Sequence, residues 1–196
     1  MVIITKGLPD KLKISATELF LEALSEKFIP ILGRKGKAKK LIELSIEPDN
    51  CFYAEEDGKF LGLLAFQTKE GSFLNPTLKD LIQLYGIFRA IFKAIGLAML
   101  QHRTKTGELY IEAIAVTEFA RGKGIGTKLI EALTEFAHNQ GYKYLTLQVI
   151  DTNPRAKELY EKLGFSVIKN SKIWPVNKLI CWPFDGVFLM EKTINE

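Results

Sequence analysis

Arg121-Gly122-Lys123-Gly124-Ile125-Gly126-Thr127 is the stretch on which the reading of this chain turns. The apolar run Ile111 to Val116 precedes it and has the composition of a strand. Thr127 to Gln140 follows with helical spacing. The order is therefore strand, glycine-rich turn, helix. Glycine has no Cβ, so the backbone of such a turn can come close to a ligand. The first N–H groups of a helix lack internal partners and lie at the positive end of its dipole. Turn and helix start together make a seat for a phosphate or pyrophosphate.

Three glycine motifs must be separated. A Walker A loop needs four residues between its first Gly and its Gly-Lys-Ser/Thr, and with Thr127 five residues after Gly122 that register fails. A dinucleotide-binding fingerprint starting at Gly122 and Gly124 asks for glycine at 127, where Thr127 stands. The pattern that fits is Arg-x-x-Gly-x-Gly, as Arg121, Gly124 and Gly126. Downstream, Lys143 to Ile150 alternates and is rich in Tyr, Leu, Thr and Val, so it reads as a strand. Asn153 suits a helix N-cap and Pro154 the first helical position. That helix runs Arg155 to Leu163 and stops at Gly164, and Phe165 opens another strand.

Arg121-x-x-Gly124-x-Gly126 and Asn153-x-x-Ala156-x-x-x-Tyr160-x-x-x-Gly164-Phe165 occur in this order, with one helix and one strand between them. The pair resembles two blocks of the GCN5-related N-acetyltransferase (GNAT) superfamily. The resemblance is close from Leu109 to Val167 and elsewhere rests on element order. It implies an α/β (α+β) fold: a mixed, mostly antiparallel central sheet with helices on both faces, splayed at the coenzyme site. It implies acetyl-CoA as cosubstrate, no metal, and direct acetylation of a primary amine in a ternary complex. By the same resemblance, the backbone of Ile114, Ala115 and Val116 pairs with the pantetheine arm. Arg121, Gly122, Lys123, Gly124, Ile125, Gly126 and Thr127 hold the pyrophosphate, and Asn153 and Ala156 complete the coenzyme site.

The chemistry needs two proton movements. An alkylammonium with a pKa of about 10 must lose a proton before it attacks a thioester. Strand alternation puts Tyr110, Glu112, Ile114 and Val116 on one face. The resemblance places a general base upstream of Ile114 on that face, and Glu112 fits. The alternative is that Glu112 only binds the positive amine or pairs with a Lys or Arg. Glu108 is a poorer candidate, close to the strand's start. The expelled thiolate needs a proton, which a phenol can return, and the resemblance gives that role to Tyr160. The alternative for Tyr160 is packing on a helix face with Ala156, Leu159 and Leu163. For Asn153, capping and coenzyme binding are compatible.

Length and composition set the frame. The 196 residues, 47% hydrophobic and 26% charged, suit one globular domain, 1–196. A net charge of +4 does not call for a nucleic-acid partner. Cys51 and Cys181 are isolated and only two His are present, which leaves no zinc spacing and points to a reduced, cytoplasmic setting. Met1 to Thr5 is too short for a secretory signal and Lys6 follows it.

Upstream of the motif, Val2 to Lys6 reads as a first strand. Ser15-Ala16-Thr17-Glu18 has capping-box spacing ahead of a helix through Phe28. Arg34-Lys35-Gly36-Lys37-Ala38-Lys39-Lys40 is either an anion patch or a solvated helix start. Cys51 to Glu55 and Lys59 to Gln67 form a hairpin about Glu56-Asp57-Gly58. Residues 71–106 then form a helical insertion that departs from the superfamily pattern. Asn75-Pro76-Thr77 with Asp80 marks a helix start, and Leu81 to Leu100 is apolar on most faces. Arg89 and Lys93 at its centre oppose a membrane span, each costing roughly 2.5–3.5 kcal/mol there. A break near Gly86 or Gly96 is expected instead. Such helices would pack on the core, cap the acceptor site, form a homodimer face or lie on a membrane surface.

Near the end, Trp174, Trp182 and Phe184 precede a last strand, Val187 to Thr193, and either cage an amine or pack on the inserted helices. Two other functions stay open at this stage. One is an acetyl-CoA-binding sensor or interaction module without fast turnover; the other is a membrane-surface acyltransferase using longer acyl-CoA. Small amines, amino acids, antibiotics, peptide N-termini and protein lysines all fit as acceptor.

Overall fold

A computed structural model describes residues 1–33 and 36–194. Arg34 and Lys35 of the basic stretch lie outside the described residues. The sheet grows from the Asp57-Gly58 turn, where both residues take positive φ, 51° and 74°, as a two-residue hairpin requires. It joins β2 (Cys51–Glu56) to β3 (Lys59–Gln67). β1 (Ile3–Lys6) pairs antiparallel with β2, and β4 (Glu108–Val116) pairs antiparallel with β3. α6 (Ile125–Asn139) then crosses over to β5 (Tyr144–Ile150), which lies parallel to β4. β7 (Gly186–Thr193) returns antiparallel to β5, and β6 (Ser166–Lys172) lies beyond it. The strand order is β1-β2-β3-β4-β5-β7-β6, with β4 and β5 the one parallel pair among the described residues. This is the mixed, mostly antiparallel sheet expected.

Helices cover both faces. On one, α6 and α7 (Pro154–Lys162) close a core of Leu64, Phe66, Leu109, Leu129 and Leu133. On the other lie α1 (Lys13–Ala23), α2 (Ser25–Leu32) and α3 (Gly36–Ser45), around Phe20, Leu41, Leu63 and Phe73. The capping box read at Ser15 is not used. A 3-10 turn, Asp10–Leu12, leads directly into α1 with Leu12 at the N-cap, so Ser15 sits inside the helix and Glu18 pairs with Lys39. The expected single helix to Phe28 is interrupted at Leu24, whose φ of −110° and ψ of 21° separate α1 from α2.

The inserted segment folds as two helices. Thr77 caps α4 (Leu78–Tyr85), its hydroxyl accepting from the Asp80 N–H at 3.1 Å. Gly86, with φ 79°, breaks the run, and α5 (Ile87–Ala98) begins after it. Gly96 is not a break but a contact, since a Cβ there would stand 2.9 Å from Ile31 Cγ2. α5 turns its small residues Ala90 and Gly96 inward, while Phe88 and Phe92 are exposed. Lys93 also reaches inward, donating to the Ile31 carbonyl at 2.8 Å. No helix among the described residues is long and apolar enough to cross a membrane. α8 (Val176–Ile180) lies in the connection from β6 to β7.

Candidate active site

β4 and β5 pair only from Glu108–Tyr144 to Ile111–Leu147. Beyond that point each strand keeps its outer partner. β4 stays on β3 as far as Val116, and β5 stays on β7 as far as Ile150. The two strands therefore part, and their facing edges carry backbone N–H and C=O groups with no strand between them. A cavity of about 330 Å³ fills the opening, lined by Ile111 to Ile114, Leu147 to Ile150, Asn153, Ala156 and Tyr160, with the end of α1 and start of α2.

The strand carries a β-bulge at the same place. Ala65 opposes Ala113 and Phe66 opposes Ile111, so Glu112 has no partner of its own. An extra residue reverses the alternation that follows it. Leu109 and Ile111 face the α6 core before the bulge, and Ile114 and Val116 face it after. Ala113 faces the opposite core, and Tyr110 and Glu112 open on a second cavity. The expectation that Tyr110, Glu112, Ile114 and Val116 share one face is thus corrected.

That second cavity measures about 530 Å³. Its walls come from distant segments: Phe20 and Phe28, Leu97 at the end of α5 and Met99 to His102 after it, Lys169 of β6, and Trp182 and Phe184. Leu24, Lys27, Glu112 and Gln148 line both cavities, so the two meet around Glu112. Ser72 donates a short hydrogen bond to Glu112 Oε1, and the Phe73 N–H donates to the same oxygen at 3.3 Å. Burial nevertheless pushes the Glu112 carboxyl up to about 7, outweighing these hydrogen bonds. Tyr160 stands across the smaller cavity, edge-on to Phe165 at 5.9 Å between ring centroids. Burial raises its hydroxyl to about 12, so it keeps its proton.

The glycine loop lies at the far end of β4. Gly122 and Gly124 take φ of 77° and 73°, and beyond their chain neighbours no atom among the described residues lies within 4 Å of where their Cβ atoms would be. Gly124 is the N-cap of α6 and offers no side chain to its first N–H groups. Arg121 Nε donates to the Val116 carbonyl at 3.2 Å, and its guanidinium pairs with Glu22 at 3.5 Å.

The sequence profile of the Acetyltransferase (GNAT) family matches residues 17–165. The chain belongs to this family. A thialysine N-epsilon-acetyltransferase from Bos taurus is 35% identical over 97 residues, 49% of this chain and 54% of that protein. An N-acetyltransferase from Bacillus subtilis, YobR, is 51% identical over 55 residues, 28% of this chain and 22% of that protein. The chain spans about half the length of the bovine relative it matches. The ribosomal-protein-S18-alanine N-acetyltransferase from Escherichia coli shares the fold, with a TM-score of 0.61 at 17% identity, covering 100% of this chain and 96% of that one.

In this GNAT chain the cavities gather some of the residues singled out in the sequence. Glu112, Ile114, Asn153, Ala156 and Tyr160 line the opening between β4 and β5. Ala115 is buried and, with Val116 and residues Arg121 to Thr127, lies outside both linings. Gly126 nevertheless packs beside Ile114 and Val116, which ties the loop to the end of the gap. Asn153 accepts from the Ala156 N–H at 3.1 Å, so that N–H is used by the cap and Ala156 offers the cavity its side chain.

Two residues that the sequence did not mark are prominent. His102 Nε2 meets Glu108 Oε1 at 2.7 Å, and the ring stacks on Tyr110 at 4.2 Å in the larger cavity. Burial alone would raise the Glu108 carboxyl. Hydrogen bonds from Thr146, the Lys105 N–H and His102 overcome it and hold the group below its ordinary range. Glu108 is thus the clamp on His102. Lys27 is the second, and burial brings its ammonium down to about 8. A lone Lys on a helix carries no local signal for such a position. Of the aromatic residues near the end of the chain, Trp182 and Phe184 stack at 5.4 Å on the larger cavity, while Trp174 is exposed.

Proposed function

We propose that this GNAT chain transfers the acetyl group of acetyl-CoA to a primary amine, both substrates being bound at once. The observation that carries this reading is the meeting of two cavities at Glu112. The opening between β4 and β5 suits an extended arm, because unpaired strand edges favour an added strand. At its end, Gly122 and Gly124 leave open space and the uncapped start of α6 offers N–H groups to a pyrophosphate. Those features fit acetyl-CoA, which supplies the activated acetyl thioester.

The chain's own residues then have distinct tasks. Ile114 to Val116 and Asn153 hold the arm, and Arg121 to Thr127 hold the phosphates, with Arg121 exchanging its exposed contact to Glu22. Glu112, pushed up to about 7, is ionised enough at neutral pH to accept a proton from the amine as it attacks, and is a stronger base than an ordinary carboxylate. Tyr160 holds its proton on the opposite side of the gap and returns it to the departing sulfur. The larger cavity, closed by Trp182, Phe184 and the segment after α5, receives the amine. The bovine relative is named for an amine on an amino acid, in keeping with a small acceptor.

Thermal unfolding in the presence of acetyl-CoA, CoA, ATP and NAD tests this reading. A ligand at 100 times its Kd stabilises by about 2.7 kcal/mol. Stabilisation by the two coenzyme A species alone is expected. Stabilisation by ATP or NAD, or by none of the four, contradicts the assignment of the gap.

A further inference from the structure

We propose that Lys27 is an anion anchor in the acceptor cavity, so that the preferred acceptor is a small amine carrying a carboxylate, a free amino acid or an ω-amino acid. This rests on the acetyl transfer proposed above and narrows its substrate.

Lys27 is held in place at its backbone. It lies in the first turn of α2, and its carbonyl accepts from Trp182 Nε1 at 3.0 Å, which ties it to the β6–β7 connection. Its side chain is half-buried and lines both cavities. Among the described residues no carboxylate pairs with its ammonium, and no hydrogen bond engages it. Yet it is not sealed off. The fully enclosed polar atoms without partners are the Tyr85 hydroxyl and Asn177 Oδ1, so the Lys27 ammonium keeps contact with solvent. The cavities it lines are the spaces through which a partner can reach it.

A cation that lines a cavity without a counterion can take one from a ligand. Glu112 lines the same cavities, and among the described residues it forms no salt bridge with Lys27. Lys27 and Glu112 are thus opposite charges on shared cavities that do not pair with each other. A ligand with an ammonium at one end and a carboxylate at the other satisfies both. Lys169 adds a second exposed cation to the larger cavity, against the single acid Glu112; His102 there is already engaged by Glu108. A purely cationic acceptor, such as a polyamine, meets two lysines for one acid and is disfavoured. An amine with a carboxylate is matched.

The test uses pairs differing only in the carboxylate: 6-aminohexanoate against hexylamine, and lysine against 1,5-diaminopentane. kcat/KM is measured for each, and binding of each to the CoA complex is followed by calorimetry. A charge-assisted contact predicts that wild type favours the carboxylate member by about tenfold or more. Lys27→Met brings that ratio to about one, Lys27→Arg restores part of it, and the acetyl-CoA Kd does not change with either. Equal use of both members by wild type, or a loss in Lys27→Met shared equally between them, overturns the anchor and leaves acetyl transfer standing. A matching loss of acetyl-CoA affinity likewise overturns it, by moving Lys27 to the coenzyme. Carboxylate-selective, Lys27-dependent binding with no turnover of any amine does the reverse: the anchor stands and the acetyl-transfer reading fails.

Discussion

Glu112 combines burial, a bulge and two hydrogen-bond donors, and the first of these dominates its titration. The consequence for stability has a definite sign. The folded carboxyl keeps its proton to about pH 7, whereas the unfolded one releases it near 4.5. Below pH 4.5 both states are protonated and nothing is lost. Between pH 4.5 and 7 the unfolded state binds fewer protons, so stability falls as pH rises, and above 7 the loss is complete. It amounts to at most about 3 kcal/mol. Glu112→Gln keeps an oxygen for Ser72 and cannot ionise. Its Tm relative to wild type is therefore expected to climb between pH 4.5 and 7 and to level off higher. A difference that does not vary with pH contradicts the buried, raised carboxyl. The local signal for this residue was a carboxylate in an apolar strand; its face depended on a bulge that periodicity does not reveal.

At the scale of elements, the sequence reading was strongest where local chemistry is decisive. The Asp57-Gly58 hairpin, the Thr77 and Asn153 caps, the break at Gly86 and the strand–loop–helix about Gly124 all follow from turn and cap preferences. It was weakest where tertiary contacts override such preferences. Ser15 has cap spacing but the preceding 3-10 turn starts α1 earlier. In α5, Lys93 and Gly96 turn inward, because Gly96 admits Ile31 and Lys93 finds the Ile31 carbonyl. A glycine in mid-strand makes the same point. At Gly62 a Cβ would lie 2.6 Å from the Ala115 carbonyl oxygen, on the strand edge opposite the gap. Gly62→Val forces β3 and β4 apart there, and an unfolding free energy lower by roughly 1–3 kcal/mol is expected. A value equal to wild type in denaturant titration contradicts this close approach.

For the whole molecule, the functional geometry comes from how the sheet is shared out. β4 belongs to the β1-β2-β3 side and β5 to the β7-β6 side, and the short parallel pairing between them leaves the gap. The half of that gap proposed for the coenzyme was legible, because its two blocks lie close in sequence on successive elements. The acceptor half was not. Its wall joins Lys27, Glu112, Lys169 and Trp182, which no spacing relates and only the closed fold brings together. The central claim is that Glu112, where the two halves meet, takes the proton of the attacking amine. The most direct measurement is the pH dependence of kcat with acetyl-CoA and the amine both saturating. The account predicts a rise with a limb near pH 7 in wild type, set by Glu112, and its loss, with a lower rate, in Glu112→Gln. The same profile and rate in the variant would contradict it.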